Sequence, residues 1–201
     1  MNFDYANRIS PYAKTFDFST AIEIIESELE RIPKTDFHAV IGKTLTSQAN
    51  ELCEWAEKFY QDASSKNQVS ALYFEMNGFD INPDLWFISG FAYKTDGGLG
   101  ETYEDSEWLC YHDVSTDTDY VIKGLESVQD AYTDWNCRQS KNGLSQEQET
   151  AEEWCLLAVI TRFMELMRAA HVLAKETQQT WAHVPVYFTV HDYDLILRSS
   201  H

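Results

Sequence analysis

Lysine and arginine are scarce in this chain. Its 201 residues include 15 of them against 33 aspartates and glutamates, a formal net charge of −18. A surface this poor in cations does not neutralise nucleic-acid phosphates or an anionic bilayer, so the expectation is no direct nucleic-acid binding and no membrane binding. Long apolar runs are missing too, and no stretch approaches the roughly 18 uninterrupted apolar residues of a membrane span. The opening MNFDYANRISPYAK has an acid at Asp4 and no apolar core, unlike a secretory signal. A cytoplasmic protein is expected.

Several chemical signatures are also absent. The four cysteines, Cys53, Cys110, Cys137 and Cys155, are widely spread without a C-x-x-C pair, so neither a zinc site nor a disulfide framework is indicated. Three of them adjoin Leu52, Leu109 and Leu156, which reads as buried, reduced thiols. There is no G-x-S-x-G nucleophile elbow. Glycine clusters only in Asp96-Gly97-Gly98-Leu99-Gly100, and Glu101 and Glu104 follow where a phosphate cradle needs a helix start and a lysine. No catalytic residue, metal or cofactor is assigned.

What is present is a folded globule's composition, 44% hydrophobic and 14% aromatic, at a length one domain accommodates, so residues 1–201 are read as a single domain. Two runs rich in aromatic and β-branched residues, Val69 to Met76 and Leu85 to Tyr93, are separated by the turn signals Asn77-Gly78 and Asn82-Pro83. Leu72, Phe74 and Met76 point to one face and Ala71 and Tyr73 to the other, so both faces should be covered by protein. Further strands are expected over Trp108 to Val114 and Val184 to Val190, with Pro185 marking an edge strand or a strand start.

Helical spacing is plain in four places. Thr20 and Glu23 form a capping box before Ile22, Ile25, Leu29 and Ile32, and Pro33 ends the run. A second helix spans about Ser47 to Ala63. Asp117 or Asp119 should cap a third, with Val121, Leu125, Val128, Tyr132 and Trp135 on one face. Ser145 with Gln148 opens the longest, which should reach about Glu176. Residues 1–18 lack a period and read as an arm. This order of elements predicts an α+β fold with a mostly antiparallel sheet and helices packed on one side.

Two His-Asp pairs invite a chemical reading: His112-Asp113, and His191-Asp192 with Asp194 beyond. If their strands are neighbours they could converge on a metal, although adjacent strand residues face opposite ways and one pair cannot present both ligands without a turn. An enzyme built on these pairs is the alternative function. The stronger signal is the distribution of charge. Residues 95–153 carry 15 acids against Lys123, Arg138 and Lys141, and so 12 of the 18 net negative charges. A solvated face kept for solubility accounts for such a run, and so does an electrostatic surface for a cationic partner.

The chain resembles a group of small bacterial α+β proteins of unknown function associated with toxin and immunity loci. The matching features are Ala71-Leu72-Tyr73, Glu107-Trp108 with Tyr111, two consecutive helices and the closing FTVHDYD at 188–194, over about residues 45–195. With the acidic stretch, the resemblance implies a cytoplasmic immunity protein that neutralises a basic toxin domain, such as a nuclease. Glu101, Glu104, Asp105, Glu107, Asp113, Asp117 and Asp119 would pair with the toxin's Lys and Arg. Tyr103 or Trp108 would supply a buried anchor. A general acidic adaptor or nucleic-acid mimic would instead bind several basic proteins alike.

Overall fold

The structure is a computed structural model describing residues 3–79, 82, 85–100, 104–139 and 145–200. The chain runs α1 (Phe3–Lys14), α2 (Phe18–Glu30), α3 (Ala49–Lys66), β1 (Ala71–Asn77), β2 (Phe87–Tyr93), β3 (Val114–Ser115) and β4 (Tyr120–Val121). It continues through α4 (Glu126–Gln139), α5 (Gln146–Glu176), β5 (Val186–Val190) and β6 (Leu197–Ser199). Helix, 3-10 turns included, makes up 57% of the described residues, and the six strands among them form one mixed sheet, an α+β fold. Among the described residues no helix is long and apolar enough to cross a membrane.

Local chemistry explains where the elements begin, and corrects several sequence expectations. The expected arm contains α1, whose buried positions are Ala6, Ile9 and Ala13. Two of these are alanines, so the helical period is hidden among conspicuous aromatics. Helix α2 starts at Phe18 because the Asp17 carboxylate accepts the Thr20 N–H at 3.2 Å, in place of a Thr20 capping box. Helix α4 starts at Glu126, well after Asp117 and Asp119, and Val121 belongs to β4. Gly124, at φ +87°, interrupts any helix begun earlier. The segment expected as a strand from Trp108 is a 3-10 helix over Glu104–Cys110, and only Val114–Ser115 is strand. Helix α5 opens on the expected box: the Ser145 N–H donates to Gln148 Oε1 at 3.2 Å and the Gln148 N–H to Ser145 Oγ at 3.3 Å.

The sheet order is β3-β2-β1-β5-β6, with β4 also paired to β2. Strand β5 runs parallel to β1, and the other pairs are antiparallel. Pro185 precedes an interior strand; it lacks an N–H, but its carbonyl accepts the Leu72 N–H at 3.0 Å. The short β6, unanticipated, occupies the edge beyond it.

The chain divides into two compact units. One comprises Met1–Leu45, Gly78–Trp86 and Ile122–Glu165; the other comprises Thr46–Asn77, Phe87–Val121 and Leu166–His201 and holds all six strands. In the helical unit, Phe37 meets Tyr132 and Trp135 edge-on at 5.2 and 5.3 Å, while Tyr5 stacks on Trp154 at 4.3 Å. In the sheet unit, Phe74 packs against Trp55, Phe59 and Trp181 on the face covered by α3. The opposite face buries Ala71, Tyr73, Tyr93 and Tyr187 together with Leu109 of the 3-10 helix. Both sheet faces are therefore covered, one by helix and the other largely by irregular chain.

Candidate functional site

The irregular chain on the second sheet face is held by side chains from the strands. Tyr93 Oη donates to the Leu109 carbonyl at 2.6 Å, and Trp108 Nε1 donates to the Gly98 carbonyl at 2.9 Å. The Trp108 ring lies edge-on to Tyr93 at 4.9 Å and to Tyr187 at 5.3 Å. Asp96 accepts the Tyr187 hydroxyl at 2.5 Å, the Gly98 N–H at 3.0 Å and Arg198 Nη2 at 3.1 Å. Burial raises the Asp96 carboxyl, but these hydrogen bonds outweigh it and hold the group below its ordinary value.

Beside the 3-10 helix this framework leaves an open cavity of about 560 Å³. Tyr73, Phe91, Leu109 and Ile196 form its apolar walls, and Glu75, Cys110, His112, His191, Asp192 and Asp194 bring polar groups to it. Glu75 is its best-fixed group. Its Oε2 accepts the Tyr73 hydroxyl at 2.6 Å, and its Oε1 lies 2.9 Å from His191 Nδ1. Burial, and then the Glu75 charge, push the Tyr73 phenol far above its ordinary value, which keeps it a donor. The His191 N–H closes the strand end on the Met76 carbonyl at 2.9 Å, and Asp192 turns the chain at φ +59°, a conformation aspartate tolerates. The Thr189 hydroxyl reaches the carbonyls of Tyr193 and Leu195 at 3.1 and 2.8 Å and so braces the turn.

The two His-Asp pairs meet different fates. His112, His191, Asp192 and Asp194 line the one cavity, with the His112 ring 4.9 Å from Phe91. Asp113 is instead bound to Lys94, accepting its backbone N–H at 2.8 Å and lying 3.0 Å from its ammonium. The backbone hydrogen bond first, and then the ammonium, lower the Asp113 carboxyl. Among the described residues no three His, Cys, Asp or Glu side chains are grouped to hold a metal ion.

Of the expected partner-facing residues, Glu101 and Tyr103 lie outside the described residues, and Glu104 begins the 3-10 helix. Asp105 and Glu107 are exposed on that helix. Asp117 and Asp119 are exposed between β3 and β4, Asp119 accepting the Thr116 hydroxyl at 3.2 Å. Trp108 is packed inward and its N–H is engaged, so it serves the fold rather than standing ready as an anchor. The cysteine reading also needs correction: Cys53 and Cys155 are buried, whereas Cys110 and Cys137 are exposed. Sequence reasoning missed Glu75. A single charged residue inside ALYFEMN was the available signal, since a carboxylate in a strand covered on both faces requires partners.

Comparison with known proteins found no matching family model, no matching curated protein and no matching solved structure. The functional reading rests on the residues themselves.

Proposed function

We propose that this chain is an immunity protein, a cytoplasmic inhibitor that binds and neutralises a basic toxin domain, such as a nuclease, through its acidic surface. One observation carries the reading. Asp105, Glu107, Asp117 and Asp119 stand exposed in a segment, residues 95–122, that contains no Lys or Arg. Such a surface steers a cationic partner toward it at up to ~10⁸–10⁹ M⁻¹s⁻¹ and loses that advantage as salt screens the charges. Its carboxylates would occupy the Lys and Arg that a nuclease uses to hold phosphate, which closes the path to the substrate.

The test begins with the partner retained by the tagged chain from lysate of its source cells through a high-salt wash. The Glu104→Lys, Asp105→Lys, Glu107→Lys triple variant should then associate with that partner at least tenfold more slowly at low salt, with a much smaller change in dissociation. An unchanged association rate would overturn the assignment of this surface. A second reading, an enzyme or metal-binding protein working through His112 and His191, is favoured by their place on one cavity. It requires that chelator lower the thermal stability of the purified chain or that added divalent metal raise it.

A further inference from the structure

We propose that the cavity beside the 3-10 helix receives an arginine side chain of the basic partner. The inference rests on the immunity reading for its source of arginine, while its chemistry is independent of that reading. Three carboxylates, Glu75, Asp192 and Asp194, lie on the cavity, and none of the described residues lining it is Lys or Arg. Among the described residues lining it, the groups able to carry positive charge are the imidazoles of His112 and His191. An anionic ligand would meet repulsion, and an apolar one would strip water from a half-buried carboxylate without replacing it.

The arrangement selects a planar cation in particular. Glu75 is fixed from two sides, by Tyr73 at 2.6 Å and His191 at 2.9 Å, and each of its oxygens has taken one donor, so both keep capacity to accept another. Tyr73, only 7% exposed, stacks against Phe91 with centroids 5.7 Å apart and 25° between planes, so the part-buried Phe91, with the His112 ring 4.9 Å from it, is the aromatic wall the cavity offers. A guanidinium lies flat on such a wall while its edge donates to a fixed carboxylate; an ammonium lacks the planar fork that uses both. A cavity of about 560 Å³ falls within the range of formed ligand sites and leaves room for the arginine's stem and neighbouring partner atoms. Arginines seated in desolvated pockets are common centres of interface energy.

The experiment titrates Nα-acetyl-arginine methylamide into the isotope-labelled full chain and follows backbone amide shifts by NMR. The expected result is a saturable response centred on Glu75, Cys110, His112 and His191, with a weaker response to the lysine counterpart. Glu75→Gln should weaken binding about tenfold, the scale of one charge-assisted hydrogen bond. Should Glu75→Gln not fold, Asp192→Asn with Asp194→Asn makes the same test on exposed residues. Neutralising Asp105, Glu107, Asp117 and Asp119 to their amides should lower the affinity by much less than Glu75→Gln does, since it removes only long-range attraction and no contact in the pocket. No response, an equal response to lysine, or non-saturating shifts spread along residues 105–119 would overturn the proposal. Failure here with slowed partner association in the triple variant would remove the pocket and leave the immunity reading standing; the converse would remove the partner and leave the pocket.

Discussion

Glu75, which pairs with Thr189 inside the parallel β1–β5 ladder, and His191, one residue past the Met76–Val190 pair that ends it, are joined by a 2.9 Å hydrogen bond between Oε1 and Nδ1. The same carboxylate accepts the hydroxyl of Tyr73, a residue only 7% exposed. Removing the carboxylate would leave that hydroxyl without its acceptor in a low-dielectric setting. Glu75→Ala should therefore destabilise the fold by about 1–3 kcal/mol, and Glu75→Gln, which keeps an acceptor oxygen, by less. Urea denaturation measures both. Equal stability of wild type and Glu75→Ala would show that the Tyr73–Glu75–His191 chain holds nothing in place.

Trp108 yields a second prediction, which separates packing from binding. Its ring fills the space between Tyr93 and Tyr187, and a Cβ placed on Gly97 would come within 2.5 Å of the indole. Trp108→Ala should cost about 2–4 kcal/mol through the cavity it opens, and Gly97→Ala about 1–3 kcal/mol through overlap with the ring. Both losses should appear in thermal melts of the chain alone. A Trp108→Ala variant with an unchanged melting temperature would return the residue to the role of a partner's anchor.

Legibility followed the origin of each signal. The long helix α5 was readable to its ends because its capping box and apolar stripe are local. The opposed faces of β1 were readable because alternation needs only neighbours in sequence, and Phe74 and Tyr73 do pack on opposite sides. The parallel pairing of β1 with β5 was not, since it joins residues more than a hundred positions apart. Nor was the 3-10 helix at Glu104–Cys110. Its apolar residues Trp108 and Leu109 mimic a strand, and what sets its shape is the grip of Tyr93, Tyr187 and Gly98 from elsewhere in the chain. The cavity depends on that grip as well. The sequence therefore offered His112, His191 and Asp192 as candidates, without Glu75 or Cys110 beside them.

Thiol chemistry offers a third prediction. Cys110 and Cys137 are exposed, whereas Cys53 and Cys155 are buried. Burial pushes the Cys53 thiol up to about 11 and raises Cys155 as well, which removes thiolate along with access. Iodoacetamide at neutral pH should label two cysteines in the native chain and four in denaturant, and peptide mass spectrometry should place the early labels on Cys110 and Cys137. Early labelling of Cys53 or Cys155 would contradict the packing around α3 or α5.

Stability against pH should fall at both ends, with different residues responsible. The Asp96 carboxyl, raised by burial but lowered further by Tyr187, Gly98 and Arg198, titrates below its ordinary 3.8 in the fold. Its contribution is therefore present above that pH and is lost as pH drops through the folded value, because the unfolded chain takes up the proton first. At the alkaline end the sign reverses. Burial first, and then the hydrogen bond to Asp96 and its charge, push Tyr187 from 10.0 up to about 12, while burial moves Cys53 from 9.0 to about 11. Each contributes fully below its ordinary value, and that stability is lost as pH rises through the folded one, so their share of the loss should run from about pH 9 to 12, while Tyr73, Tyr93 and Tyr120, raised chiefly by burial, carry the loss further up. Chemical denaturation across the pH range tests the scheme. Asp96→Asn should flatten the acid limb and Tyr187→Phe the upper alkaline limb, each relative to its own neutral-pH stability. An acid limb unchanged in Asp96→Asn would assign that loss to other carboxylates held low in the fold, such as Glu28, Glu57 and Asp113.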